Sequence, residues 1–303
     1  MMSTETISAY AHLNDKAQEQ LDLSDAERIR AIQAGSWLPY DRARQVIARM
    51  EELLDHPRIT RMPNMLLVGP SYSGKTSILE RFVSTHQPDF DPTGECTICP
   101  VVMVEAPTKP DTSDFFSRIL QALMARYKPT ASASEKYYQV KVLFEQMKVR
   151  LLIIDEIQHL IAGSLNRQRE FRNAIKSLGN ESKISIVAAG IEDAFNAFNI
   201  DPQMSSRFTP EILTKWRPDE AFGGLLATLE RRTPLKQPSN LIAPEMVLKI
   251  HSLSEGMLGD FCDLIKTAAI DAIRTGEERI TVSQLSKLDW TPPSKRRQYI
   301  RAI

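Results

Sequence analysis

The sequence predicts an α/β protein, a parallel sheet between helical layers with a small helical lid after it. Three observations predict this. The glycine-rich loop Gly69-Pro70-Ser71-Tyr72-Ser73-Gly74-Lys75-Thr76 lies between an apolar run at residues 65–68 and a stretch of helical spacing at 76–83. Leu151-Leu152-Ile153-Ile154 is a continuous apolar run ending in Asp155 and Glu156, the pattern of a strand covered on both faces whose carboxyl end opens onto a site. Apolar runs then alternate with helical periods as far as Asp219, beyond which strand signals stop.

Each element has its own signal. Residues 1–35 are polar and read as an N-terminal extension; Asp22 and Ser24 punctuate a helix at 26–34 that Gly35 ends. Trp37-Leu38-Pro39-Tyr40 is extended, because a residue before proline avoids the helical region. Residues 42–54 carry an apolar stripe of Val46, Ile47, Met50, Leu53 and Leu54 at helical spacing. After the loop come a strand at 100–106, a helix at 113–127, a small-polar break at 129–134 and a helix at 140–148. A helix at 168–178 and a buried strand at 184–189 follow the acidic strand. The domains expected are an extension (1–35), an α/β domain (36–217), a helical lid (218–290) and a basic tail (291–303).

Composition narrows the class. The 303 residues, 42% hydrophobic and 25% charged, describe an ordinary soluble globular chain with room for one large domain and a satellite. No signal peptide or membrane span is legible, and three cysteines without a secretion signal point to the cytoplasm. With 38 basic and 38 acidic residues there is no net charge, so any nucleic-acid contact must come from local clusters.

The loop is a complete G-x-x-x-x-G-K-[ST] phosphate loop in its strand–loop–helix setting. Gly69 and Gly74 let the backbone turn its N–H groups toward phosphate oxygens, and the helix N-terminus adds a favourable dipole. Gly69, Pro70, Ser71, Tyr72, Ser73, Gly74, Lys75, Thr76 and Ser77 are therefore expected to hold ATP, Lys75 reaching the β/γ-phosphates. Thr76 and Asp155 are the expected Mg²⁺ residues, and Glu156 is placed to polarise a water for attack on the γ-phosphorus. The bland alternative for the two acids is dipole stabilisation at a helix N-terminus.

The phosphate loop, the Asp155-Glu156 strand, the later strand, Ser205-Ser206-Arg207-Phe208 and the helical lid together resemble the AAA+ ATPases, with their three-layer α/β/α domain. More narrowly, the chain is similar over residues 24–275 to the TniB family of transposition regulators, relatives of the TnsC regulators. The residues that carry this are Trp37-Leu38-Pro39-Tyr40-Asp41-Arg42-Ala43, Arg61-Met62-Pro63-Asn64-Met65, Asp155 through Ser164, Arg169-Glu170 and Leu178-Gly179-Asn180-Glu181. The resemblance implies a switch protein that binds ATP, assembles into homo-oligomers on double-stranded DNA and presents the target to a TniA-like DDE transposase. A TniQ-like targeting protein is a further implied partner, and hydrolysis would reset the assembly. It also implies that Arg207 is an arginine finger reaching a neighbouring subunit's γ-phosphate, a contribution of roughly 10³ or more in rate. The plain alternative is a surface arginine beside a packed Phe208. Two residues depart from the pattern: Ile191 stands where a polar sensor is usual, and Asp260 near where an arginine often meets the γ-phosphate. Both argue for slow turnover, with Asp260 turned away or paired with a base.

Weaker features remain. Arg169, Arg172 and Lys176 share a helix face, and by analogy the loops with Lys109 and Lys128 are further candidates for DNA; a solvated helix surface accounts for the cluster equally well. The tail Ser294-Lys295-Arg296-Arg297-Gln298-Tyr299-Ile300-Arg301 is basic, as tails that bind DNA and solvated tails both are. Cys96 and Cys99 form a lone C-x-x-C with Cys262 and His86 distant, too few partners for a four-ligand zinc site, and His159 reads as a packing residue. Two other functions fit the same motifs: a helicase-loader-like ATPase, and a nucleotide-gated scaffold without DNA contact, for which Ile191 and Asp260 speak.

Overall fold

The computed structural model describes residues 10–89, 97–161, 163–194 and 205–296. They divide into two units, one of residues 41–214 and one joining residues 10–40 to 215–296. The chain enters through α1 (Asp15–Gln20) and α2 (Asp25–Ala34), both part of the second unit.

The first unit is the α/β domain. It runs α3 (Asp41–Asp55), β1 (Asn64–Val68), α4 (Lys75–Thr85), β2 (Val101–Glu105), α5 (Thr112–Ala122), α6 (Ala133–Gln146), β3 (Leu151–Asp155), a 3-10 turn (Ile157–Ile161), α7 (Leu165–Ser182), β4 (Ser185–Gly190) and β5 (Phe208–Ile212). The sheet is parallel in the order β2-β3-β4-β1-β5. The three central strands β1, β3 and β4 are buried along their whole length, which is why they read as unbroken apolar runs. Alternate residues serve opposite faces. Leu66, Val104, Leu152, Ile154, Ile186 and Ala188 pack with Phe115 of α5, Phe144 of α6 and Phe171 of α7. The intervening Met65, Leu67, Ile153 and Val187 are as deeply buried, and α3 and α4 pack on each other and on β4.

Local chemistry moves several boundaries from those the periodicity predicts. The break at 129–134 is shorter and α6 begins at Ala133, because Ser132 and Glu135 close a reciprocal capping box. The helix expected to reach residue 127 stops at Ala122, with Met124 in the left-handed region at φ 53°. β5 is a strand that the sequence pattern does not predict; it contains Pro210 and lies at the sheet edge beside β1, where a missing N–H is tolerated.

The second unit is helical: α1 and α2 join α8 (Glu220–Glu230), α9 (Pro244–Ser254), α10 (Leu258–Thr275) and α11 (Val282–Lys287). Tyr40, Trp216, Phe222 and Phe261 form a ring cluster, edge-on except for the tilted Trp216–Phe222 pair. Gly256, at φ 71°, turns beneath it, where a Cβ would come within 2.3 Å of the Trp216 carbonyl oxygen.

Residues 10–40 are thus not the extension read from the sequence, and the α/β domain begins at 41 instead of 36. Arg28 explains why. Its side chain is fully buried, donating to both Glu278 oxygens at 2.8 and 2.6 Å and to the Pro234 carbonyl at 2.7 Å. Burial opposes ionisation of Glu278, but the hydrogen bonds from Arg28 and from the Lys236 N–H outweigh it and hold the carboxyl at about 2. Because the folded value lies below the ordinary 4.5, this contribution to stability is complete above that pH and disappears as pH falls toward 2. Among the described residues no helix is long and apolar enough to cross a membrane.

Arg28→Ala leaves the Glu278 carboxylate without its main partner, so it should cost about 3 kcal/mol in the denaturant unfolding of the helical unit. The difference between variant and parent should shrink as pH is lowered from 4.5 toward 2.

Candidate functional site

A parallel sheet brings the carboxyl ends of all its strands to one edge, and the sequence motifs meet there. The phosphate loop follows β1, Asp155 ends β3, and Gly190 ends β4 between them. The loop is folded back on itself, with Tyr72 at φ 64° and Gly74 at φ 90°, and α4 starts directly from Gly74. Gly69 has no room for a side chain: a Cβ would lie 2.7 Å from Ser73 Oγ and 3.0 Å from the Leu213 carbonyl oxygen. Its N–H donates to the Gly190 carbonyl at 3.2 Å, tying the loop to β4.

Lys75 is buried, its Nζ donating to the Gly69 and Pro70 carbonyls at 2.8 and 2.9 Å. Burial pushes its amine below the ordinary range, against the pull of Glu156 and Asp155. Thr76 Oγ1 donates to Asp155 Oδ2 at 2.7 Å, and the other Asp155 oxygen accepts the Glu156 N–H at 2.8 Å. Glu156 sits in the left-handed region at φ 54°, a conformation of order 1–3 kcal/mol above the ordinary one for a residue with a side chain. Its carboxylate is held by the Gln158 side-chain amide.

A cleft of about 670 Å³ opens here, lined by Thr76, Glu80, Glu105, Asp155, Glu156 and His159 among others. These residues fit a nucleotide with magnesium. Ser73 Oγ is buried and lacks a hydrogen-bond partner among the described residues, a donor left for phosphate. Among the described residues the hydrogen bonds of Lys75 Nζ go to loop carbonyls that phosphate oxygens can replace. A hydroxyl beside a carboxylate is the hard oxygen pair that Mg²⁺ takes in phosphate sites. The sequence alone did not single out Glu80, Glu105 or Gln158. Glu105 was discoverable as the residue that ends β2 and pairs in register with Asp155.

Other predicted residues lie elsewhere. Arg207 precedes β5 at the amino edge of the sheet, a strand length of ~16 Å from the carboxyl edge, and donates to Asn180 Oδ1 at 2.7 Å. Ile191 offers no polar side chain; its N–H donates to Gln158 Oε1 at 3.3 Å. Asp260 pairs with a base, Arg296, at 2.7 Å within the helical unit, so this part of the basic tail is docked; residues 297–303 lie outside the described residues. Burial raises the Asp260 carboxyl despite that partner. The five candidate DNA residues do not form one patch. Gly163, just before α7, faces the Pro110 ring, so Lys109 and exposed Arg169 share the carboxyl edge. Lys128 lies beyond the far end of α5, and Arg172 and Lys176 are half-buried along α7. Cys96 lies outside the described residues. Cys99 is buried, burial raises its thiol, and its Sγ donates to the Val101 carbonyl.

The fold and this site define a phosphate-loop nucleotide-binding protein with the AAA+ fold. Solved structures with the same fold include the Aeropyrum pernix ORC2 protein in ADPNP–ADP complexes (TM-score 0.60, 15% identity, 85% of this chain and 70% of that one). Others are Cdc6p from Pyrobaculum aerophilum (TM-score 0.57, 15% identity, 85% and 68%) and Drosophila ORC bound to DNA (TM-score 0.56, 13% identity, 95% and 68%). No protein of curated function matches the sequence. The family described as Bacterial TniB protein matches residues 28–218, and the chain belongs to that family.

Removing the Lys75 amine with Lys75→Met should weaken binding of a non-hydrolysable ATP analogue by about tenfold or more, while circular dichroism and melting stay unchanged. Titration calorimetry reads the affinity directly.

Proposed function

We propose that this protein is an ATP-driven regulator of DNA transposition, which assembles as a homo-oligomer on target duplex DNA and recruits or activates a DDE transposase. The observation that carries this is an intact phosphate loop and Asp155-Glu156 pair in a chain of the TniB family. In this proposal residues 69–77 hold ATP, and Lys75 exchanges its loop carbonyls for phosphate oxygens. Thr76 and Asp155 hold Mg²⁺, which neutralises charge on the phosphates. Glu156 accepts the proton of the attacking water, and Arg207 serves the site of a neighbouring subunit. Its place at the opposite sheet edge from its own loop supports that role, since an arginine there cannot serve its own chain.

Hydrolysis is slow in this proposal, because Ile191 has no side chain to hold the water, and it resets the assembly. Lys109 and Arg169, which share the carboxyl edge, contact DNA phosphates, so binding tolerates any sequence and weakens steeply with salt. Structures of similar fold whose proteins bind DNA, Drosophila ORC and the Aeropyrum pernix ORC1 protein, support a DNA partner. A TniQ-like protein is a further proposed partner, and the free Cys99 and Cys262 suit the cytoplasm.

Electron microscopy on random-sequence duplex should find large DNA-bound assemblies with ATP or a non-hydrolysable analogue and none with ADP. A nucleotide-indifferent monomer without DNA affinity would instead favour a scaffold ATPase. Glu156→Gln should persist on DNA long after the parent has dissociated; equal release rates remove Glu156 as the base. Arg207→Ala should bind ATP normally yet lose turnover by about 10³, and unchanged turnover removes it as the finger.

A further inference from the structure

Glu156 is not held by its own strand. The Gln158 side chain, on the 3-10 turn after β3, donates its Nε2 to the Glu156 carboxylate and accepts the Ile191 N–H on its Oε1 at 3.3 Å. The residue before Ile191 is Gly190, where a Cβ would lie only 2.7 Å from Gln158 Oε1. The end of β4 thus has neither a polar side chain at 191 nor room for one at 190, and the Gln158 amide occupies that place. The Gly190 carbonyl in turn accepts the Gly69 N–H. Hydrogen bonds and one peptide unit therefore link the start of the phosphate loop, through the end of β4 and Gln158, to Glu156.

We propose that Gln158 is the positioning residue for Glu156, filling the role that the end of β4 leaves open and tying the carboxylate's orientation to the backbone that holds the phosphate loop. This rests on the assignment of Glu156 as the group that accepts the water's proton. A carboxylate in a left-handed residue on a short turn is free to swing about its side-chain torsions, and one amide fixed at its far end by a strand backbone removes that freedom. The amide needs both its ends, an acceptor for Ile191 and a donor for Glu156.

The test separates them. Steady-state ATP hydrolysis by the full-length protein with magnesium, on duplex DNA, is compared for the parent, Gln158→Ala, Gln158→Glu and Glu156→Gln, beside affinity for a non-hydrolysable analogue and melting temperature. Gln158→Glu keeps the size and the acceptor for Ile191 but turns the donor into a carboxylate that repels Glu156, whereas Gln158→Ala removes both contacts without adding charge, so the positioning role requires a loss in both. The expected result is a kcat about tenfold or more lower in both Gln158 variants, with analogue affinity and KM within about twofold of the parent. Parent-like kcat in Gln158→Glu overturns the proposal, as does a loss confined to KM. Glu156→Gln distinguishes the two levels: if it still turns over, the assignment of Glu156 has failed. If it is inactive while Gln158→Glu is not, only the role of Gln158 has failed.

Discussion

The hydrogen bond from Thr76 to Asp155 spans the width of a strand, and the site depends on the register that makes it possible. β1 and β3 are not neighbours; β4 lies between them, pairing Val68 with Gly190 on one side and Ile154 with Ala188 on the other. A hydroxyl at the start of α4 can meet a carboxylate at the end of β3 only if all three strands stop at the same level. That level is set by burial. Alternate residues of each strand fill opposite faces, so a slip of one residue would turn every apolar side chain the wrong way.

Around this constraint the polar parts of the site are few and tightly placed. The loop backbone, Lys75, Thr76, Asp155 and Glu156 all sit within one or two residues of a strand end or helix start, where backbone geometry fixes them more firmly than a loop could. Among them Glu156 differs in having φ 54° and a carboxylate held by the Gln158 amide.

Much of this was legible in residue order alone. The phosphate loop, the buried strands and the acidic pair are local patterns whose chemistry needs those residues in that spacing, and β1, β3 and β4 emerged where apolar runs placed them. What remained hidden was non-local. Arg28 reads as one more charge on a helix surface until Glu278 meets it, 250 residues further along the chain. Pro210 hid β5, because a proline counts against a strand unless that strand is known to lie at an edge. Ser132 and Glu135 did carry a legible capping signal, and the small-polar residues around them masked it. Gln158 had no visible role, since its partner Ile191 lies beyond the whole of α7 and β4.

Because the helical unit joins residues 10–40 to residues 215–296, it cannot be completed until the second segment has been made. When α2 emerges, its arginine has Asp25 of its own helix beside it at 3.1 Å but not yet Glu278. At a synthesis rate of ~5–20 residues per second, Arg28 waits on the order of ten to fifty seconds for Glu278. During that interval a charge meant for the interior stays solvated. Helical segments made after residue 214 are therefore what complete the unit that holds α1 and α2.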